Sequence, residues 1–421
     1  MANRIFGRVV AGVLALAPGC AAPAGNARAR PMLLAYYYTW YSTGFGPHGV
    51  WNAWNNTKES EIYPKGCDPD KIIFPPAIRE ISSCAYPLIG PYDSDNPDVV
   101  RWHIRLAKAA GIDGFLVDWW GPGTWQNPSG LTRNAFEKAI LPAAEAEGFK
   151  VCLFDETPQF HDDLEQTIAW AADFLGKYKD SPAYLKIDGK PVYCIYQLWG
   201  GRLKPEEGQR FIHEVEAQVG PVYWVFDRVR ASDATPAGAP ARLFLAPGWE
   251  QVEGIDAICM YATFSSIRTY DRATLARLYM EVARQVHATG RKIMLPAHPG
   301  LDNRKIQIDP VAKPKGEPHW GIPRRDGQTL KDYLDACTSA GADMISITSF
   351  NEWPETTVVE PALTWPDPYL YLKILAEFRG MRWRTPPLPP PGVLDQGIRE
   401  LRMANGRQQL VSPSSRVLDT R

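Results

Sequence analysis

The chain carries almost no net charge. Its 46 Lys and Arg against 47 Asp and Glu leave −1 over 421 residues. That excludes the broad basic footprint of a nucleic-acid binder or a polybasic membrane-surface protein. Long apolar runs are also missing. The run Val9–Leu16 is far too short to cross a bilayer, and no later segment is apolar enough. There are seven His and seven Cys, but no His-x-x-x-His helix and no Cys-x-x-Cys pair, so a zinc site is not expected. Neither a Gly-x-Ser-x-Gly elbow nor a phosphate loop occurs. Gly44-Phe45-Gly46-Pro47-His48-Gly49 has dinucleotide glycine spacing, yet Pro47 and the Trp/Asn run behind it do not open a helix. No cofactor or metal is expected.

Aromatic residues, by contrast, are plentiful, with 15 Trp, 18 Tyr and 15 Phe. That composition suits either an aromatic-rich core or stacking against flat apolar ligand faces, sugars included. The N-terminus reads as a leader over residues 1–30: Arg4 and Arg8, then the apolar run, then small residues. Cys20 sits where a bacterial lipoprotein is cleaved and acylated, although Pro18 is unusual before such a cysteine. Ala27-Arg28-Ala29 offers an ordinary signal-peptidase site instead. Export to the periplasm, envelope or exterior is therefore expected, either free or as a lipoprotein anchored through Cys20. Residues 385–421 open on Pro386-Pro387-Leu388-Pro389-Pro390-Pro391 and then become polar, which predicts a stiff proline segment and a mostly disordered tail. Cys67 and Cys84 flank a loop and are candidates for one disulfide in an oxidising compartment.

Between them, residues 31–384 alternate. Eight β-rich runs recur: Leu33–Tyr38, Gly114–Trp120, Lys150–Glu156, Pro191–Gln197, Pro221–Asp227, Asp256–Ala262, Lys292–Ala297 and Met344–Phe350. Most are near-continuously apolar, as strands buried on both faces are. Helical patterns separate most of them: Asp98–Ala110, Leu131–Glu147, Asp162–Lys179, Pro205–Val219, Arg272–Thr289 and Gln328–Ser339, with Pro368–Phe378 after the last strand. This alternation predicts an α/β fold, a single (β/α)8 TIM barrel whose first β–α connection is elaborated. A doubly wound open sheet is the alternative.

Active sites of such barrels lie at the C-terminal ends of the strands. That rule gathers Tyr38, Trp119, Trp120, Glu156, Tyr261, His298 and Asn351 at one rim, with Asp118, Asp155 and Asp227. The last strand ends on Asn351-Glu352-Trp353-Pro354-Glu355. Two carboxylates three residues apart in a loop can face one cavity. Glycoside hydrolysis needs two carboxyl groups in different protonation states, so Glu352 and Glu355 are the catalytic candidates. An acidic loop facing solvent is the bland alternative. His103, and His161-Asp162-Asp163, read as a packing or surface histidine and a helix start.

Ser346–Pro361, with Asn351-Glu352-Trp353-Pro354-Glu355 at its centre, resembles the signature of glycoside hydrolase family 99, which contains endo-acting α-mannosidases and α-mannanases. Tyr37-Tyr38-Thr39-Trp40-Tyr41, Gly90–Pro97, His103, Trp119-Trp120-Gly121 and Asn303-Arg304 follow the family's other blocks in order. The resemblance implies a (β/α)8 barrel and retention of anomeric configuration by substrate assistance. Glu352 would be the base on the sugar's 2-hydroxyl, and Glu355 the acid/base. Glu156 matches a glutamate of the family's substrate site; Tyr38, Trp119, Trp120 and Tyr261 match aromatic positions near it. Three departures stand out: Thr356 replaces the family's Gly, Asp118 its Ser, and the residues around Glu156 differ. The implied partner is an oligo- or polysaccharide, α-mannoside by default, with no protein partner implied. A non-catalytic surface glycan-binding lipoprotein and a transglycosylase in envelope polysaccharide assembly are the rival readings.

Overall fold

A computed structural model describes residues 30–55, 66–122, 131–160, 163–196, 203–232, 242–262, 272–306 and 321–405. Eight parallel strands form its centre: β1 Met32–Tyr37, β2 Gly114–Trp119, β3 Lys150–Asp155, β4 Lys190–Ile195, β5 Tyr223–Asp227, β6 Ile255–Cys259, β7 Lys292–Ala297 and β8 Met344–Ile347. Each pairs with the next, and β8 returns to β1 through Leu34↔Ser346. The ring is closed, which is the (β/α)8 barrel and not the doubly wound open sheet. Closure leaves no strand edge, and the wall strands are buried on both faces, hence their continuous apolar sequences.

The helices sit where the periodicity places them, with local reasons at their ends. Pro97–Ala110 starts at Asn96, whose side chain accepts from the backbone N–H of Asp98 and Val99, and ends at Gly111 in the left-handed region (φ 77°). Leu164–Tyr178 is capped by Asp163, which accepts from Gln166 N–H at 3.1 Å; His161 and Asp162 lie outside the described residues. The stretch Leu131–Glu147 is not one regular helix. A π-turn, Phe136–Ile140, separates two α-helical pieces, and Leu141 N–H reaches Phe136 O. Pro142 supplies no N–H for the regular ladder and its ring crowds the preceding turn, so the register widens just before it.

The long first connection lies against the loop after β8, through Leu88 N–H to Pro361 O (2.8 Å) and Leu363 N–H to Tyr86 O (2.8 Å). The expectation of a disordered tail from 385 fails over 385–405. Gln396–Asn405 is a helix, Leu394 and Ile398 are buried, and Asp395 forms an ion pair with Arg79 at 2.8 Å. Gly397 lies so close to the first connection that a Cβ there would be 2.2 Å from Pro76 O. Few apolar residues suffice to dock a short helix when an ion pair and a glycine contact accompany them. Residues 406–421, and the leader with Cys20, lie outside the described residues. Cys67 and Cys84 are both thiols here. Among the described residues, no helix is long and apolar enough to cross a membrane.

Candidate active site

The C-terminal ends of β1, β2, β3, β6 and β8 bring most of the predicted residues to one mouth. Tyr38 follows β1 directly. Its phenol is hydrogen-bonded to that of Tyr261, which follows β6, and the carboxyls of Glu156, Glu352 and Asp118 all act on its charge state. Tyr261 in turn feels Glu352 and Glu355. Trp120 is half-buried; its ring meets Trp40 edge-on at 5.7 Å, and Trp40 lies 4.6 Å from the ring of Tyr38. Tyr38, Trp120 and Tyr261 thus lie beside the carboxyls, with Trp40, which was not among the candidate site residues, packed next to them.

Trp119 departs from that expectation. Side chains of a strand alternate between faces, so with Asp118 turned to the mouth, Trp119 points outward. Its ring packs on Phe174 of Leu164–Tyr178 at 5.2 Å, in the layer between barrel and helix. Asn351 and His298 also differ in kind from a ligand contact. Asn351 Oδ1 accepts from Tyr38 N–H (2.7 Å) while its Nδ2 donates to Tyr38 O (2.9 Å). The amide thus extends the β1–β8 pairing by one side chain and holds Tyr38 in place. His298 is fully buried, with Nδ1 3.3 Å from Thr348 O and its ring edge-on to Tyr333. Burial pushes its pKa down to about 3, so it is neutral.

Glu352 and Glu355 occupy the turn after β8. Ser349 Oγ accepts from Glu352 N–H at 2.7 Å, and Glu352 Oε1 accepts from Glu355 N–H at 3.3 Å. Each glutamate keeps one oxygen, Oε2, buried and without a hydrogen-bond partner. Burial raises the pKa of both: Glu355 is pushed up to about 7, and Glu352 is raised well above its ordinary value, with Glu355 as the next contributor. Across the mouth, Asp118 and Glu156 act on each other's charge state, and burial raises both: Asp118 is pushed up to about 8, and Glu156 well above its ordinary value. Among the described residues, no Lys or Arg forms an ion pair with any of these four acids. An acid that starts protonated and a neighbouring acid that can take a proton are what acid/base work on a sugar requires.

A second layer that sequence reading missed holds this turn. Glu360 is fully buried. It accepts from Tyr92 OH (2.7 Å) and Trp353 Nε1 (2.8 Å), and lies 3.1 Å from His103 Nε2; His103 Nδ1 is 2.9 Å from Tyr37 OH. Tyr41 OH donates to Asn351 O and accepts from Trp353 N–H. The signal for Glu360 was its place within Ser346–Pro361. For His103 it was its place in one of the family-like blocks, although alone it read as a packing or surface histidine. Thr356 sits at φ 53°, a conformation glycine takes without strain. Its hydroxyl offsets this by accepting from Cys84 N–H at 3.1 Å and lying 3.2 Å from Trp353 O.

Known proteins resemble this chain in sequence and fold. Residues 30–218 match the model of Glycosyl hydrolase family 99. A human protein named glycoprotein endo-alpha-1,2-mannosidase-like protein is 26% identical over 375 residues, covering 84% of this chain and 74% of its own. The rat glycoprotein endo-alpha-1,2-mannosidase is 25% identical over 357 residues, covering 78% and 67%. Among solved structures, the GH99 endo-alpha-mannosidase from Bacteroides thetaiotaomicron superposes with a TM-score of 0.61 at 21% identity, covering 89% of this chain and 98% of that one. By its family match, its relatives and its barrel, the chain is a glycoside hydrolase family 99-like protein.

Proposed function

We propose that the chain is an exported, endo-acting glycosidase that cleaves α-linked, mannan-like glycans with retention of configuration. The observation that carries this reading is the Glu352–Glu355 turn: a buried and a half-buried glutamate, both raised in pKa, each with one buried carboxyl oxygen lacking a partner.

In the first step Glu352 takes the proton of the sugar's 2-hydroxyl, and O2 attacks C1. The glycosidic C1–O bond breaks as Glu355 gives its proton to the leaving oxygen. A 1,2-anhydro sugar results. In the second step the Glu355 carboxylate takes a proton from water, whose oxygen attacks C1. The C1–O2 bond opens, and O2 recovers its proton from Glu352. Two inversions at C1 give retention. The scheme differs from the common retaining route, in which a carboxylate itself attacks C1. The pKa of Glu355 supports its role: a carboxyl near 7 is half-protonated at neutral pH and can donate, then accept. Support for an α-mannan-like substrate comes from the names of the relatives, and the aromatic rim of Tyr38, Trp40, Trp120 and Tyr261 suits stacking on sugar rings.

The test is digestion of α-mannans, α-glucans and arabinans by the purified chain, read by mass spectrometry and by NMR of the fresh anomer, beside Glu355→Gln. Release of retained oligosaccharides by wild type alone is expected. Binding to a glycan with no cleavage of any would overturn the reading in favour of a glycan-binding protein. Export rests on the leader sequence, ending either in ordinary signal-peptidase cleavage or in acylation at Cys20. Cell fractionation with and without Cys20→Ala separates the two, and a cytoplasmic product would sink both.

A further inference from the structure

Glu355 is aimed by its main chain. Among the described residues nothing donates to either oxygen of its carboxyl, and Oε2 is buried. The direction of the side chain therefore follows from how residues 355–358 are held. Glu355 N–H donates to Glu352 Oε1 (3.3 Å), and Glu355 O accepts from Asp302 N–H (3.0 Å). The next residue, Thr356, is in the left-handed region, which favours glycine. Beyond it the carbonyls alternate between two sides, as in an extended chain. Thr357 O accepts from Ser349 N–H at 2.9 Å, while Thr356 O and Val358 O face the opposite way.

One side chain meets both of these carbonyls. Arg324 follows Gly321–Ile322, which pairs with Leu301–Asp302 after β7. Its Nη2 donates to Thr356 O at 2.5 Å, and Nη1 and Nη2 both donate to Val358 O at 3.1 Å. The guanidinium stands over the rings of Trp365 (4.8 Å) and Tyr371 (4.6 Å), which fix its place. Gly300 leaves room for the stem, since a Cβ there would lie 2.5 Å from Arg324 Cγ. A planar fork serves two carbonyls two residues apart, whereas an ammonium is a single point.

We propose that Arg324 is a positioning residue for the reaction: by clamping the carbonyls of Thr356 and Val358 it holds Thr356 left-handed and so aims the Glu355 carboxyl at the glycosidic oxygen. The effect on turnover rests on the acid role proposed above for Glu355; the clamp itself does not.

Two measurements on the full chain test these separately. Hydrogen exchange read by mass spectrometry follows the amides of Thr356 and Thr357, which donate to Trp353 O and Glu352 O. In Arg324→Met they are expected to exchange about tenfold faster or more, with the barrel strands unchanged. Unchanged exchange in this turn overturns the proposal. The second measurement compares kcat and KM on an α-mannan with those on an activated aryl α-mannoside. A misplaced acid costs most where the leaving group needs its proton. Arg324→Met is expected to lower kcat on mannan by about 10²-fold with KM within about twofold, and kcat on the aryl glycoside by about tenfold or less. Arg324→Lys carries the same comparison should the methionine variant fail to fold, and wild-type kcat on mannan in Arg324→Lys overturns the proposal. Equal loss on both substrates is what a merely structural role gives, and it also overturns the proposal. Failure of wild type to cleave any glycan would count against the proposed function alone, leaving hydrogen exchange to decide the clamp.

Discussion

Replacing Glu355 by glutamine is expected to remove activity and add stability, in a way that depends on pH. The carboxyl's pKa rises from 4.5 in the free group to about 7 in the fold, because burial disfavours its charge. Between those values the folded state binds more protons than the unfolded state. The contribution is therefore neutral below about pH 4 and becomes unfavourable as pH rises through about 7. At about 1.4 kcal/mol per unit, the full shift corresponds to about 3 kcal/mol. Glu355 is only half-buried, and solvent screening trims this to about 2–3 kcal/mol. Glutamine has nearly the same shape and cannot ionise. The variant should therefore unfold about 3 °C higher than wild type at about pH 8 and at the same temperature at about pH 4. Its turnover should fall by about 10²–10⁴-fold through loss of the general acid. Thermal unfolding followed by circular dichroism at the two pH values checks the stability arm. Equal differences at both would refute the reasoning, since a packing change carries no proton linkage.

The remaining expectations concern the same turn. Glu352→Gln should lose as much activity as Glu355→Gln, but activated aryl glycosides should partly rescue only the latter, because a good leaving group needs little protonation; rescue of both would remove Glu352 from the sugar ring. Glu360→Ala strips the buried partner from Tyr92, Trp353 and His103 and should cost about 3 kcal/mol or more in urea unfolding, whereas Glu360→Gln should cost less; equal costs would mean the hub's charge is irrelevant. Asn351→Ala should cost about 2 kcal/mol and lower kcat more than it raises KM, since it frees the Tyr38 backbone without removing a ligand contact. A pure KM effect would instead mark Asn351 as a direct substrate contact.

What the sequence determined by itself is local. Runs of Val, Ile, Leu and Cys, Asn96 and Asp163 before helices, and Gly111 after one identify strands and helices because caps and periodicity act within a few residues. Eight such repeats then leave few architectures, and the strand-end rule reaches Glu352, Glu355, Glu156, Tyr38 and Tyr261 without a coordinate. Only the tertiary structure decided which acids meet. Asp118 and Glu156 face each other because β2 and β3 pair in one register, and His103 finds Glu360 257 positions away because ring closure sets the first helix behind the last strand. It also decided that Trp119 turns outward, that Asn351 braces Tyr38, and that a polar tail docks through Asp395 and Ile398. The physical reason is common to all of these. A side chain's charge state and role depend on what burial places beside it, and burial is a property of the closed barrel rather than of any segment.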